Sequence, residues 1–117
     1  MEMERERFTR LVEEVLDTLP ARFRERIHNL VVLVEDRPPR EIARSREGLV
    51  LGVYQGVPAT QKSVFDMSFG PDRIVLYQKN IEDVCSSDAE IRHEVRQTVL
   101  HELGHYFGMD EEQLKDV

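Results

Sequence analysis

The chain has 117 residues, a net charge of −7 and a single cysteine. That length supports one domain with one modest hydrophobic core. The acidic balance argues against nucleic acid as a partner, Cys85 alone excludes an internal disulfide and suits a reducing compartment, and no apolar run reaches the roughly 18 residues that span a membrane.

Met1 to Arg10 is charged and lacks the apolar core of a signal peptide, so a cytoplasmic, bacterial-type protein is expected. Phe8, Leu11, Val12, Val15, Leu16 and Leu19 recur at helical spacing and predict an amphipathic helix stopped at Pro20. A further helical turn covers Ala21 to Arg26. His28 opens the next segment and is expected to be structural. Leu30 to Val34 is a continuous apolar run rich in valine, which suits a strand buried on both faces. Asp36-Arg37-Pro38-Pro39 ends it. Arg37, Arg40, Arg44 and Arg46, diluted by Asp36 and Glu41, read as a solvated loop or a brief helix over residues 40–46.

Leu49, Val50, Leu51, Gly52, Val53 and Tyr54 form a second strand candidate, in which Gly52 signals a bulge or a close backbone approach. Gly56-Val57-Pro58 closes it. Residues 57–72 read as a long irregular loop with a short strand at Ser63 to Met67. Arg73 to Gln78 is the third strand, and residues 79–86 read as a connection containing Cys85, a passive small side chain. Ser87 and Glu90 then give a capping-box pattern. Behind it Ile91, Val95, Val99, Leu103 and Phe107 recur every four residues, Leu100 widens the stripe, and Gly108 stands where a C-terminal helix glycine belongs. A helix over about 88–107 follows. The order is that of an α+β domain over residues 1–117, with helices packed on one side of a small mixed sheet.

The last helix carries His101-Glu102-Leu103-Gly104-His105, an H-E-x-x-H pattern. Residues four apart on a helix share a face. His101 and His105 are therefore placed to share one metal ion, and Glu102, one step round, is placed to act as base toward a hydrolytic water. A zinc hydrolase needs a third protein ligand and an open position. The chain ends twelve residues after His105, so the ligand is expected just past Gly108. The acids there are Asp110, Glu111, Glu112 and Asp116. His93, among Arg92, Glu94 and Arg96, is expected to face solvent. Tyr106 either enters the cleft as an oxyanion donor or packs beside the sheet. Met109 reads as an apolar gap-filler. Gly104 inside a helix costs about 1 kcal/mol against alanine, which a close approach to another segment would offset.

The stretch from His101 to Glu111 resembles the metzincin and Asp-zincin layout, H-E-x-x-H-x-x-G followed by a third ligand. Over roughly residues 8–115 the chain also resembles minimal zincin-like bacterial metallopeptidases. The segments Leu49 to Pro58, Asp72 to Tyr77 and Thr98 to Glu102 carry that likeness. It implies a minimal zincin-like domain of three to four strands between an N-terminal helix and the C-terminal motif helix. It further implies one Zn2+ and hydrolysis of peptides or small proteins. Substrate would lie antiparallel to an edge strand at Leu49 to Gln55, with Arg73 to Gln78 as the inner strand. The register of those layouts implies Glu111 as the third ligand, with Asp110 as the alternative; glutamate there departs from their His or Asp, and the methionine turn of metzincins is missing. A zincin-fold binding or regulatory module that no longer cleaves is therefore the alternative. A closed structural zinc site would need more cysteine than Cys85. Homodimerisation would shield an exposed strand edge.

Overall fold

A computed structural model describes residues 1–25, 27, 29–56 and 72–109. Helix α1, Arg5–Asp17, buries Phe8, Leu11, Val12 and Val15, the stripe its sequence announces. It ends at Thr18, whose N–H reaches back to Glu14 O at 3.2 Å, and Pro20 follows. A single turn, α2, spans Ala21–Arg24. The apolar face of α1 packs on the long C-terminal helix α5, Asp88–Tyr106, through Ile91, Val95, Val99 and Leu103. Ion pairs Arg92–Glu14, at 2.8 Å, and Arg7–Asp88 cross the rim of this contact. Both are exposed and contribute at most about 1 kcal/mol each, so burial of the apolar seam holds the helices together.

The sheet has the order β1-β3-β2, with β1 Leu30–Glu35, β2 Gly52–Gln55 and β3 Asp72–Tyr77. β1 runs parallel to β3, and β2 runs antiparallel to it with Val53 opposite Val75. Ile74 and Leu76 of the central strand enter the core under α1 and α5. Val75 and Tyr77 point the other way and join Val50, Val53 and Ile42 in a second cluster. Ile42 lies on the short helix α3, Arg40–Arg44. The helices are thus not confined to one side of the sheet, because alternation along β3 presents an apolar row on each face.

β1 also differs from expectation. It is a sheet edge among the described residues, and its burial alternates. Val31 and Leu33 are 39% and 41% exposed. A run of valine and leucine carries no period of its own, so it cannot show which face meets solvent. The third strand likewise stops at Tyr77, and Gln78 begins a helix. That helix, α4, Gln78–Asp83, lies where the sequence reads as a connection. The expected strand at Ser63 to Met67, and His28, lie outside the described residues.

α4 is held by polar bonds as well as by Ile81 in the core. Gln78, Asn80 and Glu82 are buried with Ile81. The Gln78 amide donates to Met3 O at 2.7 Å and to Glu82 Oε2 at 2.9 Å, while Arg5 Nε donates to Gln78 Oε1 at 2.6 Å. Asn80 Nδ2 donates to Val50 O at 2.8 Å, and Asn80 Oδ1 accepts from Arg37 Nη1 at 2.8 Å. One short helix therefore ties the chain's start to the ends of β1 and the approach to β2. Cys85 behind it is buried, and burial pushes its thiol pKa up, with Glu94 and Glu90 adding to the shift. That environment disfavours a reactive thiolate.

α5 starts as its sequence predicts. Ser87 Oγ accepts from Glu90 N at 3.2 Å. The return arm reaches one residue further back, Glu90 Oε2 accepting from Ser86 N at 2.7 Å and Ser86 Oγ at 2.6 Å. Those Ser86 bonds hold the Glu90 carboxyl below its ordinary pKa. Ser87→Ala is expected to cost about 1 kcal/mol by urea denaturation. Because the folded pKa of Glu90 is depressed, its contribution is complete above the unfolded value of 4.5 and fades as pH falls through the folded one. Glu90→Gln should therefore narrow the stability gap to wild type when both are titrated from pH 6 toward pH 3.

Candidate metal centre

The site lies on the last two turns of α5. Phe107 caps the helix, and Gly108 follows at φ 79°. Gly108 N donates to His105 O and Met109 N to Gly104 O, both at 2.9 Å. This paired closure of the helix end needs a left-handed residue, which glycine supplies without a Cβ clash. Gly104 itself is buried.

His101 and His105 lie one turn apart and meet edge-on, ring centroids 5.0 Å from each other. Ligand atoms of His101, Glu102 and His105 all lie within 4.8 Å of one another. Both imidazoles are half-buried, whereas the Glu102 side chain is only 2% exposed. Two imidazoles converging with a carboxylate form the donor set that suits zinc, so these residues fit a metal ion.

Glu102 is placed by the edge strand. Its Oε1 accepts from Tyr54 N at 2.8 Å. Tyr77 N donates to Leu51 O at 2.9 Å, so residue 51 bonds inward to β3. By the alternation of an antiparallel pair, residues 52 and 54 then turn their backbone groups to the outer edge, toward Arg46 and Glu102. One rung below, Gly52 meets Thr98. A Cβ at Gly52 would stand 2.6 Å from Thr98 Cγ2 and 3.0 Å from Val75 O. Four residues of helix rise about 6 Å, and two residues of strand rise about 6.8 Å. β2 and α5 therefore meet in matched steps, Gly52 on Thr98 and Tyr54 on Glu102. The close approach that the sequence suggests at Gly52 is this contact.

Tyr54 is braced in turn. Its hydroxyl donates to Asp72 Oδ2 at 3.0 Å, and its ring meets Tyr106 edge-on at 5.8 Å. Burial, then the Asp72 bond, pushes the Tyr54 phenol well above its ordinary pKa. Tyr106 is buried against Tyr54, the packing alternative of the two open from sequence. His93 is exposed, as expected.

A cleft of about 290 Å³ opens beside the site, lined by Arg46, Leu49, Gly52, Thr98, His101 and Glu102 among others. Arg46 Nη1 lies 3.5 Å from Glu102 Oε2 and 3.5 Å from Gly52 O. From sequence, Arg46 reads as part of a diluted basic loop; no periodicity or motif marks it, because its role comes from tertiary placement alone. Leu49 to Leu51 precede β2 and line the cleft, while Gly52 to Tyr54 form its edge strand. Asp110 and Glu111, the third-ligand candidates, lie outside the described residues.

Residues 27–117 match the family of zincin-like metallopeptidases. The chain belongs to that family. A solved structure from Thermo thermophilus, titled a conserved hypothetical protein, is similar across 90% of this chain and 94% of that one, with 29% identity and a TM-score of 0.60. No curated protein matches. The zincin-like family implies a metal, usually zinc, and the His101–Glu102–His105 group is of the kind that holds one. No helix among the described residues is long and apolar enough to cross a membrane.

Proposed function

We propose that this zincin-like protein is a zinc-dependent peptidase, with His101 and His105 holding one Zn2+ together with Glu111 or Asp110. The supporting observation is the convergence of both imidazoles and Glu102 within 4.8 Å beside an open cleft and a strand that is a sheet edge among the described residues. Bound zinc would lower the pKa of water and polarise the substrate carbonyl. The peptide lies along β2 in the cleft, where Gly52 O faces outward; the Tyr54 N–H on the same edge is already taken by Glu102. Glu102 takes a proton from the attacking water as the new C–O bond forms, and passes it to the amine nitrogen as the C–N bond breaks. Its Tyr54 N–H bond fixes the carboxylate without consuming the second oxygen.

Near-complete burial of Glu102 favours one other reading, a peptide-binding module in which this carboxylate only fastens β2. Cleavage of a peptide library by wild type and Glu102→Gln separates the two: Glu102-dependent products support the peptidase, and metal-dependent binding without products supports the module.

Metal removal gives an independent check. At free zinc a hundred times its Kd, binding adds about 2.7 kcal/mol to stability, which for a domain of this size raises Tm on the order of 10 °C. Phenanthroline should erase that increment in wild type. His105→Ala should show none, and equal melting with and without zinc in wild type would remove the metal from the account.

A further inference from the structure

Arg46 is the only permanent cation among the described residues lining the cleft. Resting on the peptidase reading above, we propose that Arg46 is a further catalytic residue, whose guanidinium donates to the substrate carbonyl oxygen as that oxygen becomes negative.

The argument begins with distance. Arg46 Nη1 stands 3.5 Å from Glu102 Oε2. A group this close to the base is close to the water the base serves, and that water must lie about 3 Å from the carbonyl carbon it attacks. The carbonyl oxygen is one bond further on. A guanidinium carries five N–H donors in a planar fork, so Arg46 reaches that oxygen without leaving the base.

Its present contacts are loose. Charge-assisted N–H···O bonds close to about 2.7–2.9 Å, whereas those to Glu102 Oε2 and Gly52 O are both 3.5 Å. Exchanging the Gly52 O contact for a developing oxyanion gives up little and gains a shorter, stronger bond, while the Glu102 contact is kept. Gly52 O lies on the edge that an added peptide strand would use, so substrate arrival itself displaces one of the two. The guanidinium stays charged at any working pH and is weakly hydrated; its side chain is 37% exposed at the cleft mouth, and its neighbour Glu102 is 2% exposed. Donors preset toward developing charge in such a site commonly supply the largest electrostatic part of catalysis.

The step balances. Water oxygen bonds to the carbonyl carbon, the C–N bond breaks, and both water protons finish on the amine nitrogen, giving a carboxylate and an ammonium. Arg46 exchanges no proton; it stabilises charge while the carbonyl carbon is tetrahedral.

The test uses the zinc-loaded protein and the Arg46→Ala and Arg46→Lys variants. On a cleaved peptide, Arg46→Ala should lower kcat by about 10²–10³-fold with little change in KM. Arg46→Lys, which keeps charge but loses the fork, should fall between. A phosphinic peptide carries an anionic tetrahedral centre and should lose affinity for Arg46→Ala by a comparable factor. Zinc affinity should not move, and added guanidinium ion should restore part of the Ala variant's rate. Unchanged kcat in Arg46→Ala, beside an inactive Glu102→Gln, would overturn the role of Arg46 and leave the peptidase intact. A loss of kcat matched by a loss of zinc affinity, with no guanidinium rescue, would reduce Arg46 to a structural part. A wild type that neither cleaves nor binds the phosphinic peptide would overturn the peptidase reading, and this one with it.

Discussion

Glu102→Gln is expected to lower peptide hydrolysis by about 10²–10⁴-fold, the usual worth of a positioned general base, while the protein keeps its fold and its metal. Glutamine retains an oxygen that can accept from Tyr54 N, so the strand contact survives. It removes the charge that serves the water. Glu102→Ala should behave differently. It takes away the acceptor as well, leaving a strand amide at a nearly dry position, and should cost a further 1–3 kcal/mol or so in stability. Steady-state kinetics with urea denaturation of both variants reads the two effects apart. Equal activity of Glu102→Gln and wild type would leave Glu102 a fastener and nothing more.

The second large effect is expected at Gly52. Gly52→Ala places a methyl 2.6 Å from Thr98 Cγ2 and 3.0 Å from Val75 O. The threonine methyl is the end of a short, branched side chain, and the carbonyl belongs to the central strand, so neither yields freely. Overpacking of this kind costs about 1–3 kcal/mol. It also drives β2 off α5, which loosens the Tyr54–Glu102 bond one step away, so activity should fall with stability. Thr98→Ala removes the closest of these contacts and leaves the one to Val75 O. The double variant Gly52→Ala/Thr98→Ala should recover much of the loss, a coupling that denaturation of the four proteins measures. Strict additivity would show that the helix–strand contact is not what constrains this position.

Much of this frame is readable from residue order. The four-residue recurrence from Ile91 to Phe107 fixes α5 and the face that carries His101 and His105. Ser87 marks its start and Gly108 its end. The stripe from Phe8 to Leu19 does the same for α1. Family likeness supplies the edge and inner strands around Gly52 and Ile74. What stays hidden has physical reasons. α4 buries Gln78, Asn80 and Glu82, and hydropathy cannot anticipate polar groups buried through hydrogen bonds to Met3, Arg5 and Arg37. The valine run of β1 conceals its period, so Val31 and Leu33 look interior. Arg46 is one arginine among several until the approach to β2 carries it to the cleft. The Tyr54 amide is a backbone group, and no side-chain pattern advertises it.

The matched steps of β2 and α5 make the tract from Leu51 to Tyr54 sensitive to its length as well as its composition. Removing or adding one residue there would reverse the alternation, turning the amide now offered to Glu102 inward toward β3. The buried carboxylate would then meet a strand position whose N–H points away from it, and would lose its donor. Substitutions at Val53 that preserve size should be absorbed, whereas a single-codon deletion should silence the protein even though every motif residue remains in place.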